Sequence, residues 1–84
     1  MTEADSASFE TLLGGVMTDE VGVISGPVEI RLDDDLVRIR YEGALEWYTA
    51  GPAAGRSLDE LVRVLTTDPG VDEYGNPREV SLRG

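Results

Sequence analysis

Between positions 28 and 41 the chain alternates apolar and charged residues twice, on either side of three consecutive aspartates. Val28, Ile30 and Leu32 interleave with Glu29 and Arg31; beyond Asp33, Asp34 and Asp35, Val37, Ile39 and Tyr41 interleave with Arg38 and Arg40. A period of two on both sides of a turn marks an antiparallel hairpin with one apolar and one charged face. Parity then fixes its register. A loop of even length sets Leu32 against Val37, Ile30 against Ile39, Val28 against Tyr41 and Glu29 against Arg40, whereas an odd loop sets Arg31 against Val37 and mixes the faces.

The same logic extends to the next connection. A three-residue loop, Glu42-Gly43-Ala44, pairs Tyr41 with Leu45, Ile39 with Trp47, Arg40 with Glu46 and Arg38 with Tyr48, with Gly43 relieving the backbone. Trp47 therefore falls with Ile39 on the buried face. Tyr48 falls beside Arg38.

Helix signals flank this meander. Phe9, Leu12, Leu13 and Val16 stand at i, i+3, i+4 and i+7, one stripe of a short helix capped by Ser6 or Ser8 and limited by Gly14-Gly15. A brief strand from Val21 to Ser25 follows, ended by Gly26-Pro27. Further on, Ser57-Leu58-Asp59-Glu60 is a capping box, and Leu58, Leu61, Val62 and Leu65 form the apolar stripe behind it. Asp68-Pro69-Gly70 ends that helix. Within 71–84 a turn at Gly75-Asn76-Pro77 precedes alternating Val80 and Leu82, so the segment reads as an edge strand or hairpin, or else as a loose tail.

The expected fold is α+β: a small antiparallel sheet of three to five strands with a central meander, and an N-terminal and a C-terminal helix packed on one face. A chain of 84 residues makes one domain, 1–84, with 1–7 expected to be disordered. Its core is small, which permits homo-oligomerisation.

Composition narrows the chemistry. The chain has no His and no Cys, so it lacks an imidazole base, a thiolate nucleophile, a disulfide and the soft ligands of a zinc site. Acid–base work would fall to carboxylates or Tyr alone, in a core too small for a deep cleft, so no enzymatic activity is expected. No cofactor is implied. The loop Gly51 to Ser57 resembles a phosphate-binding loop only in outline, because its glycines are three rather than four residues apart and Arg56 replaces the lysine. It reads as a linker into a capped helix, with Arg56 a weak anion contact at most. Asp33, Asp34 and Asp35 lack the twelve-residue spacing of a calcium loop and read as a turn, so no metal is expected.

Seventeen acidic residues against seven basic ones give a net charge of −10. That balance opposes direct binding to nucleic acid or to a membrane surface. All seven basic residues are Arg and there is no Gln, a usage typical of a GC-rich host or its phage. The acidic opening from Met1 to Asp5 is unlike a signal peptide, so a cytoplasmic or virion-internal protein is expected.

Two functions fit. The first is a non-catalytic acidic protein-interaction domain, a small inhibitor, immunity or regulatory protein, whose carboxylates imitate nucleic-acid charge and occupy a basic partner surface. Asp33, Asp34, Asp35, Glu42, Asp59, Glu60, Asp68, Asp72 and Glu73 are its candidate contacts. The second is a structural accessory, a phage or particle component, that binds by adding a hairpin edge or C-terminal strand to a neighbour. The sheet face carrying Arg31, Arg38, Arg40 and Tyr48 is an alternative partner patch, set against simple cross-strand pairing with Glu29 and Glu46. Adaptation to salt accounts for the acidity equally well, since acidic surfaces with Arg in place of Lys and Val over Ile accompany it.

Overall fold

The computed structural model describes residues 6–83. In chain order they form β1 (Ser6–Glu10), β2 (Val16–Thr18), β3 (Gly22–Ile24), β4 (Pro27–Asp33), β5 (Leu36–Tyr41), β6 (Tyr48–Pro52) and α1 (Leu58–Leu65). Four strands make one antiparallel sheet in the order β1-β4-β5-β6, and β2 pairs with β3 in a second, two-stranded sheet. The α+β class and the central meander β4-β5-β6 are as the sequence implies.

The central hairpin has the register that parity requires. Val28 lies opposite Tyr41, Glu29 opposite Arg40, Ile30 opposite Ile39 and Leu32 opposite Val37. Asp33 pairs with Leu36, leaving Asp34 and Asp35 as a two-residue turn with Asp34 at φ 56°. Aspartate tolerates that left-handed conformation better than most side chains.

Only one helix is present among the described residues. The Phe9–Val16 stripe is not helical: Ser6–Glu10 is a strand, and the chain turns at Leu12–Gly15 into β2. A two-turn helix closed by two glycines forms few hydrogen bonds for its nucleation cost. As a strand, the same segment pairs Phe9 with Val28 and Ala7 with Ile30, covering an edge of β4 that would otherwise be bare. Of the segment 1–7, residues 1–5 lie outside the described ones, while Ser6 and Ala7 are the first pairs of β1.

The second connection also departs from expectation. The loop runs over 42–47, and β6 enters with Tyr48 opposite Ile39 and Thr49 opposite Arg38. A bulge then makes Ala50 the extra residue between the Arg38–Thr49 and Val37–Gly51 pairs. The expected pairs of Ile39 with Trp47, Tyr41 with Leu45, Arg40 with Glu46 and Arg38 with Tyr48 are absent. The longer loop and the bulge together break the simple alternation on which that register rested.

Helix α1 starts as the capping box dictates: Glu60 N–H donates to Ser57 Oγ at 3.2 Å, and Ser57 N–H donates to Glu60 Oε1 at 2.9 Å. It buries Leu61 and Leu65 against Val28, Ile30 and Ile39, with Phe9 and Tyr48 at the margin. Val16, Ile24 and Val80 extend this core to the second sheet. Val80 is held there because its N–H donates to Gly15 O, and Met17 N–H donates to Val80 O, both at 2.9 Å.

Candidate functional site

The arginine-bearing face of the sheet is satisfied from within. Arg40 reaches Glu29 at 2.7 Å, donates to Ala44 O at 2.8 Å, and sets its guanidinium 4.4 Å from the centre of the Trp47 ring. Arg31 lies over the same ring at 4.5 Å. Trp47 is thus on the charged face, half-buried beneath two guanidiniums rather than in the core, because the long loop places it before β6 begins. Tyr48, one residue later, faces the core opposite Ile39 and does not join the arginines as its expected pairing with Arg38 required.

Arg38 donates to the hydroxyl of Thr49 and lies 3.4 Å from Asp33. The Arg40 hydrogen bond holds the Glu29 carboxyl below its ordinary range, with a further contribution from the Ser6 hydroxyl. Glu46 stays in the exposed loop without the expected arginine partner.

The nine candidate carboxylates do not share one surface. Asp33, Asp34 and Asp35 sit at one end of the β4–β5 hairpin, and Glu42 follows the other end of β5. Six strand residues, at about 3.3 Å each, separate the two positions. Asp59 and Glu60 lie in the first turn of α1, where Glu60 serves the cap and is held low in pKa by the Ser57 N–H and hydroxyl. Asp68 accepts from Gly70 N–H at 2.8 Å. Asp72 accepts from the N–H groups of Asn76 and Tyr74, both at 2.9 Å, and these bonds hold its carboxyl below the usual range.

Three of the nine lie near one another in sequence. Asp68, Asp72 and Glu73 belong to the segment after α1, which bends back so that Val71 bridges Pro77. Between this segment and the turn after β1 is a cleft of about 250 Å³, lined by Leu12, Leu13, Pro69, Val71, Pro77 and Arg78, with Asp68 at its border. Arg78 ties the cleft together by donating from its backbone N–H to Gly70 O and from Nε to Val71 O. Gly14 is packed so closely on the Arg78 carbonyl that a Cβ would overlap it.

Two apolar side chains of the cleft are unusually open, Leu13 at 91 % and Val71 at 58 %, and Tyr74 in the following turn is 80 % exposed. The spacing of Phe9, Leu12, Leu13 and Val16 places Leu13 in a helical stripe, and no pattern marks Val71 or Tyr74. The available signal was two turn motifs, Pro69-Gly70 and Gly75-Asn76-Pro77, enclosing apolar residues with neither helical nor strand period. Among the described residues no three His, Cys, Asp or Glu side chains gather at metal-binding distances. No helix of the described residues is long and apolar enough to cross a membrane.

Comparison of the chain with protein-family models, with curated proteins and with solved structures gives no match.

Proposed function

We propose that this chain is a non-catalytic protein-interaction domain whose acidic surface receives a basic face of a partner protein. The observation that carries this reading is the cleft beside Leu13 and Val71. It combines the exposed apolar groups of Leu13 and Val71 with the carboxylate of Asp68, and Asp72 and Glu73 follow in the same segment, the composition of a binding surface rather than of a merely solvated one. The arginines add to it. Arg38, Arg40 and Arg83 are each engaged by a carboxylate of the chain itself, and Arg31 rests on Trp47. Seventeen carboxylates against seven arginines leave a negative surplus, which speeds encounter with a basic partner.

A dispersed set of carboxylates favours this local, partly apolar contact over imitation of a regular phosphate backbone. The test is co-purification from the native host with the parent chain and with Leu13→Ser/Tyr74→Ser, whose side chains carry little of the fold. A basic protein retained by the parent at about 0.1 M salt, and lost with the variant or at several times that salt, is the expected result. The same proteins retained by both chains at every salt concentration would refute the reading.

A further inference from the structure

Among the described residues, one edge of the four-stranded sheet is covered and the other is open. Against β6, Asp19 N–H donates to Thr49 O at 2.9 Å, and the C-terminal residues Leu82 and Arg83 pack against Gly51. Among the described residues, β1 has β4 on one side and no strand on the other. Ladder parity decides which of its backbone groups remain. Thr11 N–H donates to Gly26 O at 3.0 Å, so Phe9 and Ala7, two and four residues earlier, direct their N–H and C=O groups to Val28 and Ile30. Ser6, Ser8 and Glu10 direct theirs outward, where no other described residue pairs with them. Ser8 and Glu10 are exposed.

Edges of this kind are ordinarily protected by Lys, Pro, a bulge or a covering segment. Among the described residues β1 has only Glu10 as such a guard, and its register with β4 is regular throughout. A row of donors and acceptors at every second residue fits one kind of ligand, another extended backbone.

We propose that β1 is a docking edge for an extended segment of a basic partner protein, which adds to the sheet as a fifth strand. The proposal rests on the protein-interaction reading above and specifies how the partner is held. Charge selects the occupant: a second copy brings a further net charge of −10, whereas a basic strand meets Glu10 on a chain with that same negative surplus. Side-chain alternation selects it further. On one face the added strand neighbours Ala7 and Phe9, which continue the apolar core; on the other it neighbours Ser8 and Glu10. A segment alternating apolar and basic residues satisfies both faces. β1 also leads through Thr11 into Leu12 and Leu13, which line the cleft.

The test uses the full chain, ¹⁵N-labelled, with a blocked peptide of alternating Lys and Val and its alternating Glu and Val counterpart. The Lys–Val peptide should slow amide exchange at Ser8 and Glu10 by about tenfold or more at saturation. Ser8→Pro removes an outward donor without touching the inward ladder, and should weaken binding by about tenfold, the equivalent of one lost hydrogen bond in an otherwise intact strand. Exchange in the parent chain decides the matter even if that variant folds poorly. Binding that leaves exchange along β1 unchanged would overturn the edge while leaving the acidic interaction surface standing. Equal protection by the Glu–Val peptide would keep the edge and overturn the basic partner. Protection that appears without peptide and grows with protein concentration would make the occupant a second copy, and binding of neither peptide would overturn the proposal outright.

Discussion

Glu20 holds Thr49 by two hydrogen bonds, accepting from its backbone N–H at 2.7 Å and from its hydroxyl at 2.8 Å. The hydroxyl oxygen accepts in turn from Arg38, whose other contact is Asp33. Glu20 lies in the turn between β2 and β3 and Thr49 in β6, so this carboxylate fastens the small sheet to the large one. Glu20→Gln presents an amide donor to one of two donors and gives up the charge. It should cost about 1 kcal/mol, a modest figure because the carboxylate remains partly solvated. Thr49→Val, at a buried position, should cost about 1–2 kcal/mol, since Arg38 and Glu20 both lose a partner. Urea denaturation of the two variants and their double mutant checks this. Costs that simply add would mean the two residues are not coupled.

Acid should loosen the same network. Glu20 is held below its ordinary value of 4.5 by the Thr49 N–H and then by the Thr49 hydroxyl, and Glu29 is lowered from the same value by Arg40. A carboxyl that is depressed in the folded chain stabilises the fold above its unfolded value, and that contribution disappears as pH falls through the folded one. Stability should therefore hold down to about pH 4.5 and decline below it, with Asp19 and Asp72 joining below 3.8. Melting curves across this range should show a shallower acid limb for Glu20→Gln than for the parent. An unchanged limb would remove Glu20 from the account.

Trp47 separates what periodicity could reveal from what it could not. Residues 28–41 disclosed their register because each strand is regular and the turn is tight, so one parity choice fixed every pair. The capping box at Ser57 was legible for a similar reason: it is a local exchange of two hydrogen bonds. The β6 register depended on loop length and on a bulge at Ala50, and neither leaves a mark in a pattern of period two. The pattern at β1 is ambiguous: Phe9, Leu12, Leu13 and Val16 satisfy a helical stripe, while Ala7 and Phe9 also satisfy a strand. The bare edge of β4 decided between them, and that is information from the rest of the fold. Of the candidate site, the acidity was visible, but the cleft required two segments more than fifty residues apart in sequence to meet.

The placement of Trp47 has a measurable consequence. Trp47→Ala removes a half-buried ring under two guanidiniums and should cost about 1–2 kcal/mol. Ile39→Ala, in the core, should cost about 2–5 kcal/mol. Thermal denaturation ranks them, and a larger loss at Trp47 would return that ring to the core.

Gly14 tests the docking of the C-terminal segment. A Cβ there would overlap the Arg78 carbonyl, part of the backbone that closes the cleft, so Gly14→Ala must push 78–80 away from β2. About 1–3 kcal/mol of destabilisation is expected, as for other overpacked sites. Amide exchange at Met17 and Val80, whose N–H groups join the two segments, should accelerate in the variant. Leu13→Ser, one residue away but exposed, should leave both stability and exchange unchanged.

Salt distinguishes an acidic surface built for a partner from one adapted to a saline habitat. Repulsion among the surplus carboxylates acts through solvent and is screened over about 10 Å at 0.1 M salt and about 3 Å at 1 M. Against it stand contacts that need no salt: the core of Val28, Ile30, Ile39, Leu61 and Leu65, and the ion pairs Arg40–Glu29 and Arg83–Asp19. The chain should therefore unfold cooperatively already at about 0.1 M sodium chloride, with a melting temperature that rises as salt is added and levels off once screening is complete. Binding of a basic partner should move in the opposite direction, weakening with salt mainly through slower association. A chain that shows no cooperative transition below molar salt would assign the acidity to habitat. Its carboxylates would then carry no information about a partner, and only the exposed apolar groups beside the cleft and the open edge of β1 would remain as reasons to seek one.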